Sequence, residues 1–154
     1  MATSGQITVR IEGLEELRDK LQSSRADVPV QRFLDRTANH LQGGARKKAP
    51  IDTGRLRNSI GIESPNASTR RIGPSVEYGA AVEFGSKPHY APLNPLWGWA
   101  KRHGGIDPFA LRESIASWGT EAQPYMQPAA DETETYISTR LVSVLAAEIE
   151  SAFQ

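Results

Sequence analysis

The sequence predicts an α+β fold: an antiparallel β-sheet packed against two or three helices including a long C-terminal helix, with a helical Trp-rich segment inserted before that last helix. Three observations carry this expectation. Apolar residues alternate with polar ones in two separate stretches, around Ile7, Val9 and Ile11 and around Leu56, Ile60 and Ile62, and this period of two belongs to a strand with one buried face. Two longer stretches, 30–45 and 137–152, place apolar residues at helical spacing instead. A chain of 154 residues, 38% hydrophobic and 23% charged, has the size and composition of a single domain, 1–154, with one core.

After the first strand, Gly13 precedes a helical pattern through Leu14, Leu17 and Leu21. A second helix follows, with Val30, Phe33, Leu34, Thr37, Leu41 and Ala45 on one face and Arg32, Asp35, Arg36 and Asn39 on the other. Proline disfavours the α conformation in the residue before it, so Pro50 ends these N-terminal helices (14–49) at Lys48 or Ala49. Gly43 and Gly44 weaken the last turns by about 1 kcal/mol each relative to alanine. A sheet region, 54–90, comes next: a strand beginning near Leu56, a turn at Ser64-Pro65-Asn66, a break at Gly73-Pro74, and renewed alternation at Val76 and Tyr78.

From Pro88 to Thr120 the composition changes. Pro88, Pro92, Pro95 and Pro108 punctuate two short helical segments, around Leu96–Arg102 and Phe109–Trp118, and all three tryptophans, Trp97, Trp99 and Trp118, lie here. They fit either a satellite hydrophobic cluster or a partner-binding patch. A C-terminal helix, 128–153, closes the chain. Pro128 suits its first turn, Asp131, Glu132 and Glu134 suit its positive N-terminal end, and Ile137, Leu141, Val144, Leu145, Ile149 and Ala152 form its apolar face.

Composition excludes several chemistries. With no cysteine, there is no disulfide, thiolate nucleophile or Cys-type zinc site. His40, His89 and His103 share no ligand spacing, and Gly43-Gly44-Ala45-Arg46-Lys47-Lys48 lacks the phosphate-cradling arrangement of a P-loop. No metal and no cofactor are expected. The first residues have no signal-like apolar run, and no stretch approaches the roughly 18 apolar residues of a membrane span; a soluble protein is expected.

Net charge is zero, yet the charges are sorted. Arg46, Lys47, Lys48, Arg55, Arg57, Arg70 and Arg71 fall within 40–72 against Asp52 and Glu63, whereas 119–154 holds six acids and one base, Arg140. These stretches make either two solvated faces or opposite-sign surfaces that meet within the fold or between copies. The basic set could also contact nucleic-acid phosphates, although no recognition-helix motif accompanies it.

Asp52-Thr53-Gly54 spells the active-site signature of aspartic proteases. Those enzymes need two such loops sharing one proton between their carboxylates, and the second copy is absent, so only a homodimer could act. Arg55 and Arg57 beside Asp52 would hold it ionised, against a shared proton. The structural reading has Asp52 and Thr53 bonding backbone amides of a turn, with Gly54 supplying a positive φ between the helix ended by Pro50 and the strand at Leu56.

Three ordered stretches, "ARKKAPIDTGRLRNSI" (45–60), "VEYGAAVEFGSKPHY" (76–90) and "QPYMQPAAD" (123–131), followed by a terminal helix, resemble the tail-completion or neck protein family of long-tailed bacteriophages. The resemblance covers roughly 28–152. Its motif positions are Pro50, Asp52, Thr53, Gly54, Leu56 and Arg57, then Tyr78, Glu83, Phe84 and Gly85, then Pro124, Tyr125 and Pro128. It implies an α+β virion subunit without catalysis, assembled as a homo-oligomeric ring around the DNA channel at the head-tail joint. Its partners would be further copies, connector or adaptor proteins and a tail terminator, with DNA as non-specific channel content. Arg46, Lys47, Lys48, Arg55, Arg57, Arg70 and Arg71 would line the channel or a subunit interface. Gly79 stands where the family pattern has alanine, and 93–120 is an insertion that only some relatives share. Trp97, Trp99 and Trp118 are its candidate partner-binding residues. The readings from other classes are a peptidase dimer using Asp52 and a small nucleic-acid-binding module.

Overall fold

A computed structural model describes residues 7–10 and 27–153. The expected helix through Leu14, Leu17 and Leu21 lies outside the described residues, as does Ile11. Strand β1 (Ile7–Arg10) is followed by helix α1 (Asp27–Lys48), a short helix α2 (Arg55–Ser59), and strands β2 (Ile60–Asn66) and β3 (Thr69–Pro74). Then come α3 (Gly79–Phe84), α4 (Leu93–Arg102), α5 (Pro108–Trp118) and α6 (Met126–Tyr136), which runs through a π-helical turn, Ile137–Leu141, into α7 (Val142–Phe153). The fold is α+β, with the antiparallel sheet and long C-terminal helix that the periodicities predict.

The sheet has the order β1-β3-β2. Both pairings are antiparallel, with Ile7 opposite Ile72 and Ile62 opposite Ile72 on the other side. As the central strand, β3 is buried at Thr69, Arg70, Ile72, Gly73 and Pro74. The ladder of β2 is irregular between Glu63 and Asn66. Pro65, which has no N–H to give, sits in this irregularity on an edge strand. The hairpin turn therefore falls at Ala67-Ser68 rather than at Ser64–Asn66. Asn66 Oδ1 nucleates it by accepting from Ser68 N (3.0 Å) and Ser68 Oγ (3.1 Å).

Two expected strands begin or end differently: the one through Leu56, Ile60 and Ile62 opens as helix α2 and becomes strand β2 only at Ile60, and the alternation at Val76 and Tyr78 forms no strand but leads into α3. Leu56 and Ile60, both buried, are four residues apart, a spacing that suits a helical turn as well as a strand. Gly54, at φ 78°, starts that turn, and Ser59 Oγ donates to Leu56 O at 2.7 Å. Likewise the run after Tyr78 holds two alanines, good helix formers, and winds into α3 instead of continuing the meander. Among the described residues the sheet is thus confined to 7–10 and 60–74.

Helix α1 ends at Lys48, where Pro50 requires, and its expected face of Val30, Phe33, Leu34, Thr37, Leu41 and Ala45 is buried throughout. That face packs on β2, β3 and α6. Ala38, Leu41, Ala45, Leu56, Ile60, Ile72, Tyr125, Met126 and Ala129 form the core. Gly44 has a use that propensity alone hides: a Cβ there would lie 3.2 Å from Ala129 Cβ, so the glycine lets α1 and α6 approach closely.

The C-terminal helix begins at Met126, two residues earlier than expected. Its first turn contains no acidic residue; Asp131, Glu132 and Glu134 lie beyond it. The continuous helix that periodicity suggests is widened by the π turn, where Ser138 and Thr139 hydroxyls both donate to Thr135 O (3.0 and 2.8 Å). Of its expected apolar face, Leu141 is buried while Val144 is 39% exposed.

Candidate functional site

The two later motif stretches meet at one carboxylate. Glu83, on α3, is 3% exposed. Its Oε2 accepts from the backbone N–H of Tyr125 and of Met126, both at 2.8 Å, and Oε1 accepts from Gln127 N at 2.9 Å. The first N–H groups of a helix have no partner within it and carry partial positive charge. The negative cap on α6 is therefore supplied by a residue more than 40 positions upstream, not by the acids of the helix itself. Charge-assisted bonds of this kind are the stronger class. Pro128, third in the helix, has no N–H to satisfy.

The joint is sealed by Tyr125, which is fully buried and donates through its hydroxyl to Gly79 O at 3.2 Å. Burial, with the negative charge of Glu83 nearby, pushes this phenol up to about 12. Gly79 is required by space: a Cβ there would run into the Pro74 ring and lie 3.2 Å from Tyr125 Oη. The departure from alanine thus has a local cause. Tyr78 and Phe84, in the same motif, point outward at 43% and 66% exposure.

The Asp52 turn is built differently from the expectation. Thr53 Oγ1 accepts from Arg55 N at 3.4 Å, but Asp52 bonds no amide, and neither Arg55 nor Arg57 is its partner. Arg102, at the end of α4, donates through Nε and Nη2 to both carboxylate oxygens, at 2.6 and 2.5 Å. This bond holds the Asp52 carboxyl below the usual carboxylate range. His103 Nδ1 stands 3.9 Å away, and its ring stacks on Trp99 with centroids 4.1 Å apart. Asp52 is a latch between the turn and the insertion. Neither this pair nor the Glu83 joint is visible to short-range sequence reasoning, since each joins residues more than 40 positions apart. The available signals were a glutamate inside an apolar run and a bare Gln-Pro-Tyr-Met entry to a helix.

The seven basic residues do not form one strip. Arg70 is 5% exposed and donates to Asp35 Oδ1 (2.7 Å) and to the carbonyls of Asn66 and Thr69. Arg46 donates to Ile60 O through Nε (3.2 Å) and Nη2 (2.7 Å). Lys48 pairs with Glu132 at 2.6 Å, which holds the Glu132 carboxyl below its ordinary value. The oppositely charged stretches therefore meet within the chain at this point. Arg57 is half-buried, and Lys47, Arg55 and Arg71 remain exposed. Arg70 is thus removed from the channel-lining set, because its guanidinium is consumed in tying β3 to α1.

The insertion leaves and rejoins the fold at one point. Ser86 and Thr120 exchange both backbone hydrogen bonds at 3.1 Å. Gly85 (φ 72°) and Gly119 (φ 75°) flank this bridge, where a Cβ would collide with the facing backbone. Within it, Asp107 caps α5 by accepting from Phe109 N at 3.0 Å, and Pro108 takes the first helical position. The tryptophans do not cluster together. Trp97 meets Phe109 edge-on at 5.9 Å, Trp99 stacks on His103, and Trp118 is 84% exposed. The Arg112 guanidinium lies over the Tyr90 ring (5.6 Å) and the Phe109 ring (5.8 Å).

His40 is a packing residue: its ring stacks on Tyr136 at 4.1 Å, and Nδ1 lies 3.0 Å from Thr133 Oγ1. That hydroxyl already donates to Ala129 O, so Nδ1 carries the proton. Among the described residues no group of three His, Cys, Asp or Glu could hold a metal ion, and no helix is long and apolar enough to cross a membrane.

Comparison with known proteins places the matched region in the fold. No curated protein and no solved structure matches the chain. Residues 13–85 match the family described as "Bacteriophage HK97-gp10, putative tail-component"; the matched span includes the Asp52 turn and Glu83 and ends at Gly85, at the base of the insertion. Over that span the chain is similar to the HK97-gp10-like family of phage tail components, a likeness that supports a phage tail-completion or neck family.

Proposed function

We propose that this chain is a structural subunit of the phage head-tail joint. It forms one domain and assembles as a ring around the DNA channel between the head connector and the tail tube. The single observation that carries the reading is the match of residues 13–85 to a family of phage tail components, which supports a virion component that works against other virion proteins. The ring is favoured by what the fold leaves unmatched. Exposed aromatics on the insertion and exposed valines on α7 lie on different elements, and unlike surfaces suit a head-to-tail contact that closes by rotation. The neighbours in such a joint are further copies, a connector or adaptor protein and a tail terminator.

DNA enters this reading as channel content, met by Lys47, Arg55 and Arg71 through salt-sensitive phosphate attraction without sequence preference. The reading includes no catalytic step, and the engagement of both Asp52 oxygens by Arg102 supports a structural use of that turn. Cryo-electron microscopy of the assembled particle tests the proposal. A closed ring of this chain at the head-tail joint is expected. Isolated copies, or a two-fold dimer away from the joint, would overturn it.

A further inference from the structure

The insertion is nearly self-contained. Helices α4 and α5 pack on one another and only marginally on any helix or strand of the framework. The entry limb belongs to the same body, because His89 N donates to Ile115 O at 3.3 Å. Its aromatic contacts, Trp97 with Phe109, Trp99 with His103 and Arg112 over Tyr90 and Phe109, all stay inside it. A unit held together in this way keeps its shape when it moves.

The framework stops and resumes close to the Ser86–Thr120 bridge. Before it, α3 ends at Phe84; after it, Gln123 N donates to Val82 O at 2.8 Å and fixes the return limb. What lies between these anchors and the insertion is 85–88 on one limb and 119–122 on the other, two short connections that each open on a glycine, at φ 72° and 75°. Short segments at the ends of elements are where proteins absorb a change of φ and ψ. Two chain crossings side by side define a single axis, so the motion left free is a swing.

Away from the bridge, one cluster of charge joins the two bodies among the described residues. Arg102 spans both oxygens of Asp52, with His103 Nδ1 3.9 Å from the same carboxylate. The remaining side-chain hydrogen bonds and ion pairs of 87–118 stay within the insertion or go to Ser86. The Arg102 and Asp52 side chains are 44% and 30% exposed, so water, salt ions or another carboxylate can replace either partner without unfolding. We propose that the insertion is a hinged arm with two positions, parked on the Asp-Thr-Gly turn through Arg102 and Asp52 and released about the Ser86–Thr120 bridge when that pair exchanges. Release carries Tyr90, Trp97 and Phe109 along as a fixed set, so one aromatic face is presented in two orientations. Both positions belong to the isolated chain and do not depend on the ring.

The chain has no cysteine, so two spin labels on introduced thiols report one distance. Arg32→Cys with Ser114→Cys, both at exposed positions, measures α1 to α5 across the hinge, and Asn94→Cys, also exposed, with Ser114→Cys measures α4 to α5 within the arm. At low salt the first pair should show one dominant distance. Asp52→Asn, or a rise in salt from about 50 mM to about 500 mM, should increase a second, displaced population roughly two- to fivefold, the weight of one exposed ion pair, while the second pair keeps its distance. Arg102→Asp should release the arm likewise, and Asp52→Arg added to it should restore the parked distance, which a packing role for either side chain would not do. The salt series leaves the latch unsubstituted, so it decides the matter even where a variant fails to fold. A first distance unmoved by salt and by Asp52→Asn overturns the proposal, showing the arm held by packing. So does a charge-reversed pair that stays released, and so does broadening of the Asn94–Ser114 distance, which marks melting of the segment instead of a swing.

Discussion

The Glu83 carboxylate accepts the Tyr125 backbone N–H at 2.8 Å, and the Tyr125 hydroxyl donates back to the carbonyl of Gly79, the first residue of the helix that carries Glu83. A carboxylate caps a helix it does not belong to, and an aromatic ring closes the gap. Glu83→Ala strands the buried N–H groups of Tyr125 and Met126 and the part-buried one of Gln127. Each buried, unpaired donor costs about 1–3 kcal/mol, and with the Tyr125 and Met126 donors buried and that of Gln127 part-buried a loss of at least about 2 kcal/mol is expected in urea unfolding. Glu83→Gln, which keeps one carbonyl acceptor, should lose less. A Glu83→Ala change below about 0.5 kcal/mol would show the cap to be dispensable.

Gly79→Ala tests the close approach of Pro74 and Tyr125. Overpacking of this kind costs about 1–3 kcal/mol, even though alanine is the better helix former. Equal or greater stability of the variant would mean that the family's alanine is tolerated and that the steric argument fails.

Tyr125 gives the fold an alkaline limit. Its phenol is raised in the folded chain to about 12, whereas an unfolded tyrosine titrates near 10. The unfolded chain therefore loses this proton first as pH rises. The contribution is complete below about pH 10 and is lost as pH climbs through the folded value. Ultraviolet titration should show one of the four tyrosines ionising late, together with unfolding. Tyr125→Phe removes that late step and, by deleting the bond to Gly79 O, about 1 kcal/mol of stability.

The Asp52–Arg102 latch works in the opposite pH direction. The folded carboxyl is depressed by its bond to Arg102, so the latch is in place above the ordinary aspartate value near 4. It is lost as pH falls through the depressed one. Asp52→Asn at neutral pH should mimic acid: amide exchange in α4 accelerates while global unfolding and virion assembly stay near wild type. Abolition of a measurable peptidase activity by the same change would refute the structural role.

The basic residues should separate by burial. Charge removal at Lys47, Arg55 and Arg71 together lowers duplex DNA binding at low salt, uniformly across sequences, and the difference vanishes by about 200 mM salt. Arg70→Ala leaves DNA binding largely alone and costs about 1–3 kcal/mol of stability, because three acceptors lose their shared donor. A sequence preference persisting at high salt would contradict the channel-lining role.

What was legible in the sequence was what periodicity and proline encode locally. The whole buried face of α1 and its end at Lys48 follow from residues within a few turns of one another. What was not legible depended on residues far apart. Leu56 fits a strand and a helical turn equally well; the positive φ of Gly54 opens a helical turn there, and the strand starts only at Ile60. The run after Tyr78 became α3, in a setting where Glu83 reaches the start of α6. For the site, Asp52, Glu83, Tyr125 and Pro128 were singled out as motif positions, but the partners that hold them were not. Neither Arg102 beside Asp52 nor Glu83 beneath Tyr125 leaves a signal in spacing.

The Ser86–Thr120 bridge makes the insertion an exchangeable part. The chain exits and re-enters through two residues already bonded to each other, so apart from the Asp52–Arg102 latch the flanking fold does not depend on how much chain lies between them. Closing a longer excursion costs little, about 0.6 kcal/mol for each doubling of length. A two-residue Asn-Gly turn should join Ser86 to Thr120 directly, and a foreign segment of quite different size should graft there. Genes sharing the flanking framework can therefore differ wholly in what they carry at this point without redesigning the subunit.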